Sequence, residues 1–73
     1  MKILLDNVNK VKDFVDICSK SSKTIDAKSD RYTVDGKSIM GMFSLDLSQP
    51  IDICISGEDT DFTRNISKYI VEG

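Results

Sequence analysis

Seventy-three residues and 8.2 kDa are enough for one domain, residues 1–73, because so short a chain cannot divide its apolar residues between two cores. The chain contains no histidine, which excludes histidine general-base catalysis, imidazole-bound zinc and phosphohistidine chemistry. A composition of 40% hydrophobic and 30% charged residues reads as globular, and a net charge of −2 gives no basic field for nucleic acid.

No apolar run reaches the roughly 18 residues of a membrane span, and Met1-Lys2-Ile3-Leu4-Leu5 is too short for a signal sequence. A cytoplasmic protein with no membrane insertion is expected. Ile3-Leu4-Leu5 predicts a first strand over residues 2–5, ended by Asp6-Asn7. The spacing then turns helical, with Val8, Val11, Phe14, Val15 and Cys18 on one stripe and Asn7 or Asp6 as N-cap. After Ser19-Lys20-Ser21-Ser22 the period falls to two. Ile25 and Ala27 mark one strand, Ser29-Asp30 a turn, and Tyr32 and Val34 one face of the next strand.

Ser38 is placed to cap a short helix within Ser38–Leu45, eight residues without charge. Ile39, Met40, Met42, Phe43 and Leu45 span too wide an arc to face one core, so part of this apolar set is expected at the surface as a partner patch. The competing reading is a helix packed closely on the sheet. Beyond Ser48-Gln49-Pro50, Ile51, Ile53 and Ile55 alternate with Asp52, Cys54 and Ser56 as a further strand. Glu58, Asp59 and Asp61 open a final helix with Phe62, Ile66, Tyr69 and Ile70 as its buried stripe.

The resulting order is β-α-β-β-α-β-α, an α+β domain with helices covering one face of an antiparallel sheet. Cys18 then lies in the core and Cys54 on the uncovered face, so two reduced thiols are expected rather than a disulfide. Gly36-Lys37-Ser38 imitates the tail of a phosphate-binding P-loop, but Arg31 stands where that motif needs its earlier glycine. Acid pairs such as Asp13/Asp16 and Asp59/Asp61 fall on solvated helix faces. No enzymatic activity, cofactor or metal is expected.

Two readings of Ser38 stay open on the residues alone. In one it is only an N-cap, worth about 1 kcal/mol. In the other it is also a phosphorylation site, where added negative charge meets unpaired backbone N–H groups beside Lys37. The surroundings of Ser38 carry a resemblance. Lys37-Ser38-Ile39-Met40-Gly41-Met42-Phe43-Ser44-Leu45 resembles the regulatory serine segment of the bacterial histidine-containing phosphocarrier protein, HPr. The strand before it, the isoleucine strand after Pro50, Gly57-Glu58-Asp59 and the closing helix extend the resemblance over most of residues 11–73.

The resemblance implies an HPr-like open-faced β-sandwich, with a four-stranded antiparallel sheet covered on one face by three helices. It also implies that Ser38 is a phosphorylation site and that Lys37, Ile39, Met40 and Phe43 adjoin it as a docking surface. The sequence departs from the family where a His-x-Arg-Pro segment would carry the phosphoryl group. Here Leu5 passes through Asp6-Asn7-Val8-Asn9-Lys10 straight into helix. The implied protein is a regulator or adaptor of the sugar phosphotransferase system without carrier activity, like the family's catabolite-repression members. Its implied partners are an HPr kinase-like enzyme, a transcriptional regulator or a phosphotransferase-system component. The alternative is a diverged interaction module, unrelated to sugar uptake, in which Ser38 only caps its helix.

Overall fold

The computed structural model describes residues 1–71, so the last two residues of the expected domain lie outside it. In chain order it holds β1 (Lys2–Ile3), α1 (Val8–Ser19), β2 (Ile25–Ser29), β3 (Tyr32–Asp35), α2 (Ile39–Phe43), β4 (Ile51–Ile55) and α3 (Thr60–Ile66), with a 3-10 turn at Ser67–Tyr69. The four strands form one antiparallel sheet in the order β1-β4-β2-β3. The order is the expected β-α-β-β-α-β-α. Ile25, Ala27, Ile51 and Ile53 point to one face and are buried there with Val11, Phe14, Cys18, Met42, Phe62 and Ile66 from the helices. Asp26, Lys28, Asp52 and Cys54 face the other side, as period-two alternation requires. No helix among the described residues is long and apolar enough to cross a membrane.

Several elements differ from their sequence expectations. β1 stops at Ile3, not residue 5, because its ladder to β4 runs Lys2↔Asp52 and Ile3↔Ile51 and the next bond would need the Gln49 N–H, which instead donates to the Asp46 carbonyl at 3.4 Å. Val8 is exposed although it belongs to the apolar stripe, while Ile17 is buried in its place. Ile17 lies on the flank of α1 turned toward α3 and lines one cleft with Phe62. The hairpin turn falls at Asp30-Arg31, one residue later than Ser29-Asp30, since Ser29 pairs with Tyr32. Asp30 takes φ 53°, a left-handed conformation that a short polar side chain tolerates. The final helix ends at Ile66 and tightens into the 3-10 turn, and Ile70 leaves the helical stripe to bridge Ile3.

The caps are those the residue types favour. Asn7 accepts the Lys10 N–H at 2.9 Å, and Asp59 accepts the Phe62 N–H at 3.1 Å. Asp59 also receives the Ser21 hydroxyl at 2.6 Å, which ties the end of α1 to the start of α3. These bonds hold the Asp59 carboxyl below the usual carboxylate range.

Tyr69 fastens the chain end. Its hydroxyl donates to the Asp13 carboxylate on α1, and Lys68 pairs with the same carboxylate at 3.1 Å. Tyr69, then Lys68, hold Asp13 below the usual range, while burial and then the Asp13 carboxylate push Tyr69 up to about 12. The depressed Asp13 stabilises the fold above the ordinary carboxylate range, and that contribution is lost as pH falls through its lowered value. The raised Tyr69 stabilises it below the ordinary tyrosine range and ceases to as pH rises toward 12. Tyr69→Phe is therefore expected to cost about 1 kcal/mol at neutral pH, with the difference from wild type shrinking in acid as the charge-assisted part of the bond is lost. Melting temperatures across a pH series check this, and an equal difference at all pH values would contradict the latch.

Candidate functional site

The site is the turn from β3 into α2. Ser38 lies outside the helix with φ −101° and ψ 111°, and its Oγ accepts the Gly41 N–H at 3.1 Å. Its own N–H donates to the Asp35 carbonyl at 3.0 Å, and its carbonyl accepts the Met42 N–H at 3.0 Å. The backbone of Ser38 is thus fixed on both sides. Its side chain remains half-buried at the surface, where among the described residues the hydroxyl serves only as an acceptor.

Two glycines allow this approach. A Cβ on Gly36 would stand 3.0 Å from Ile25 Cγ2, 3.2 Å from the Ile25 carbonyl oxygen and 3.3 Å from Cys18 Sγ. The turn therefore lies directly on β2 and α1. A Cβ on Gly41 would stand 3.2 Å from Ser38 Oγ and 3.3 Å from Val34 Cβ, so glycine lets α2 rest on β3 with the cap intact.

Lys37 anchors the same turn from the other side. Its Nζ donates to the Ser21 carbonyl at 2.8 Å, just beyond the C-terminus of α1, where the helix dipole favours a cation. The ammonium is held by α1 and serves to position the turn. Ser21, buried at 7% exposure, was legible in sequence only as an interruption of the helical stripe, yet it joins Lys37, Asp59 and the Lys23 N–H.

The uncharged run divides as its arc requires. Met42 and Leu45 enter the core, Ile39 is half-buried, and Met40 and Phe43 stand out at 78% and 41% exposure. Ser38 is next to Ile39 in sequence, two residues from Met40 and one turn from Met42, so a polar hydroxyl and an apolar surface share one short element. Both cysteines are free. Burial, followed by the Asp35 charge, pushes the Cys18 thiol up to about 12, so it is an inert core group. Cys54 is exposed on the uncovered face. An open depression at the far end of that face, lined by Lys2, Lys28, Ser29, Asp30, Gln49, Pro50 and Asp52, includes no residue of α2.

A four-stranded antiparallel sheet covered by three helices on one face, with a serine capping a short apolar helix, defines an HPr-like open sandwich. Comparisons agree. HPr-C-His from Thermoanaerobacter tengcongensis superposes with a TM-score of 0.77 at 26% identity, covering 93% of this chain and 85% of that one. Crh, the Bacillus subtilis catabolite repression containing protein, superposes with a TM-score of 0.67 at 20% identity, covering 99% and 90%; that protein is an intertwined dimer with a swapped domain. No protein-family model and no curated protein sequence matches the chain. The fold is HPr-like, and the first of these likenesses supports a relationship with the phosphocarrier proteins.

Proposed function

We propose that this is an HPr-family regulatory or adaptor protein of the bacterial sugar phosphotransferase system, in which Ser38 receives a phosphoryl group and α2 docks the partner. The observation that carries this reading is the juxtaposition on α2 of an accessible capping serine with exposed Met40 and Phe43. In the reaction, the Ser38 oxygen attacks the γ-phosphorus of ATP on a kinase of the HPr kinase type. The hydroxyl proton passes to a base of that enzyme, and ADP leaves. The product adds about 1.5 to 2 negative charges beside the apolar patch, enough to change which partner surface fits it. Ile39, Met40 and Phe43 supply the contact, and Lys37 holds the turn that presents the serine.

Carrier chemistry is not part of this function, because the chain has no histidine to take a phosphoryl group from enzyme I. Incubation with phosphoenolpyruvate and enzyme I is expected to leave the protein unmodified, and acid-labile phosphate on it would contradict the proposal.

A second reading rests on the cap itself. Ser38 Oγ already accepts the Gly41 N–H, and an interaction module unrelated to sugar uptake would need nothing more of it. Ser38→Ala and Ser38→Asp separate the two readings. Under the regulatory reading Ser38→Asp changes affinity for a transcriptional or phosphotransferase-system partner while Ser38→Ala loses only about 1 kcal/mol of stability. Equal binding by both variants supports the cap-only reading.

A further inference from the structure

The two edges of the sheet are finished differently. Beside β1 the chain end lies alongside: Ile70 bridges Ile3, the Val71 N–H donates to the Lys2 carbonyl at 2.9 Å, and the Leu4 N–H donates to the Tyr69 carbonyl at 2.9 Å. β3, by contrast, pairs only with β2 among the described residues. Edges are ordinarily blunted by proline, lysine, a bulge or a covering segment. β3, Tyr32-Thr33-Val34-Asp35, has neither proline nor lysine, and its register with β2 runs unbroken from Asp26↔Asp35 to Ser29↔Tyr32.

The hydrogen-bonding groups of this edge can be assigned. The Gly36 N–H donates to the Ile25 carbonyl at 2.8 Å. By antiparallel alternation the backbone groups of Val34 and Tyr32 then also face β2, and those of Asp35, Thr33 and Arg31 face outward. The Asp35 carbonyl already accepts the Ser38 N–H. What the edge offers is both groups of Thr33, the N–H of Asp35 and the carbonyl of Arg31.

We propose that the outer edge of β3 is a self-association surface, on which a second copy of this chain adds its own β3 antiparallel about a two-fold axis at Thr33. In that register Thr33 lies opposite the second copy's Thr33 and exchanges both backbone bonds with it. Each Asp35 N–H meets the opposite Arg31 carbonyl. The same pairing sets each Arg31 guanidinium beside an Asp35 carboxylate on the uncovered face, an opposite-charge cross-strand pair formed twice. Tyr32 lies opposite Val34 on the helix-covered face. Tyr32 is 67% exposed in one copy, and the second copy brings it Val34 and the α2 that rests on Val34.

Neighbouring registers lack this complementarity. A slip of one residue opposes inward-facing and outward-facing backbone groups, and a slip of two moves Asp35 from Arg31 to Thr33 or Ser29. The charge pattern therefore favours another copy of this strand over an unrelated extended peptide. The surface is independent of any role of Ser38.

Sedimentation equilibrium from micromolar to millimolar protein tests the proposal, with Thr33→Pro and Arg31→Asp as variants. Thr33→Pro removes an outward N–H and leaves the β2–β3 bonds, which run through Tyr32 and Val34, in place. Arg31→Asp sets two acids opposite each other at an exposed turn. The wild type is expected to form dimers reversibly. Each variant that keeps the wild-type circular dichroism spectrum is expected to raise the dissociation constant about tenfold or more. Should Thr33→Pro fail to fold, Arg31→Asp decides. A wild type that stays monomeric throughout, or dimers of unchanged affinity in the folded variants, would overturn the proposal.

Discussion

Phe62→Ala is expected to leave the domain largely unfolded near room temperature. Phe62 and Phe14 are both buried, and their rings meet edge to face with centroids 6.5 Å apart, the contact through which α3 packs on α1. Truncating such a ring removes its burial and leaves a cavity, a loss of about 3–5 kcal/mol. A domain this small holds only about 5 kcal/mol or little more, so one ring is comparable with its whole stability. Urea denaturation followed by circular dichroism measures the loss. Phe43→Ala is the control: that ring is partly exposed and outside the core cluster, so its cost is expected to stay below about 1 kcal/mol. Equal losses in the two variants would contradict the division between core and surface phenylalanines.

The second large effect falls on binding. Met40 is the most exposed of the large apolar side chains, so Met40→Asp is expected to leave the melting temperature nearly unchanged. As the centre of the proposed docking patch it is nonetheless expected to lower kcat/KM for ATP-dependent modification of Ser38 by about tenfold or more, the scale of a buried interface anchor. Ser38 and its cap are untouched by the change. A rate within about twofold of wild type would show that the kinase docks elsewhere.

The sheet and its covering were legible because each strand carries its own signal. Ile51, Ile53 and Ile55, and Ile25 with Ala27, alternate without interruption, and alternation decides which face is buried. Asn7, Ser38 and Asp59 were readable as caps or as the opening of a helix because their side chains bond locally. Features set by contacts distant in sequence were not legible. Whether Val8 or Ile17 is buried depends on where α3 lies, and the early end of β1 depends on the Gln49 N–H turning back to the Asp46 carbonyl. Ile70 continues a helical stripe in sequence but pairs with Ile3, because the latch of Tyr69 on Asp13 redirects the chain after the 3-10 turn.

The candidate site divides in the same way. That Met40 and Phe43 reach the surface followed from the arc of a short helix, whereas the engagement of Lys37 with the Ser21 carbonyl, 16 residues away, leaves no trace in local pattern. The sequence places Lys37 beside Ser38. Folding draws its ammonium to α1.

The most direct measurement is incubation of the intact protein with an HPr kinase and ATP, followed by localisation of phosphate by mass spectrometry. A single phosphate on Ser38 is expected, absent in Ser38→Ala while that variant keeps its fold. An unmodified protein, or phosphate on another residue with Ser38 bare, would contradict it.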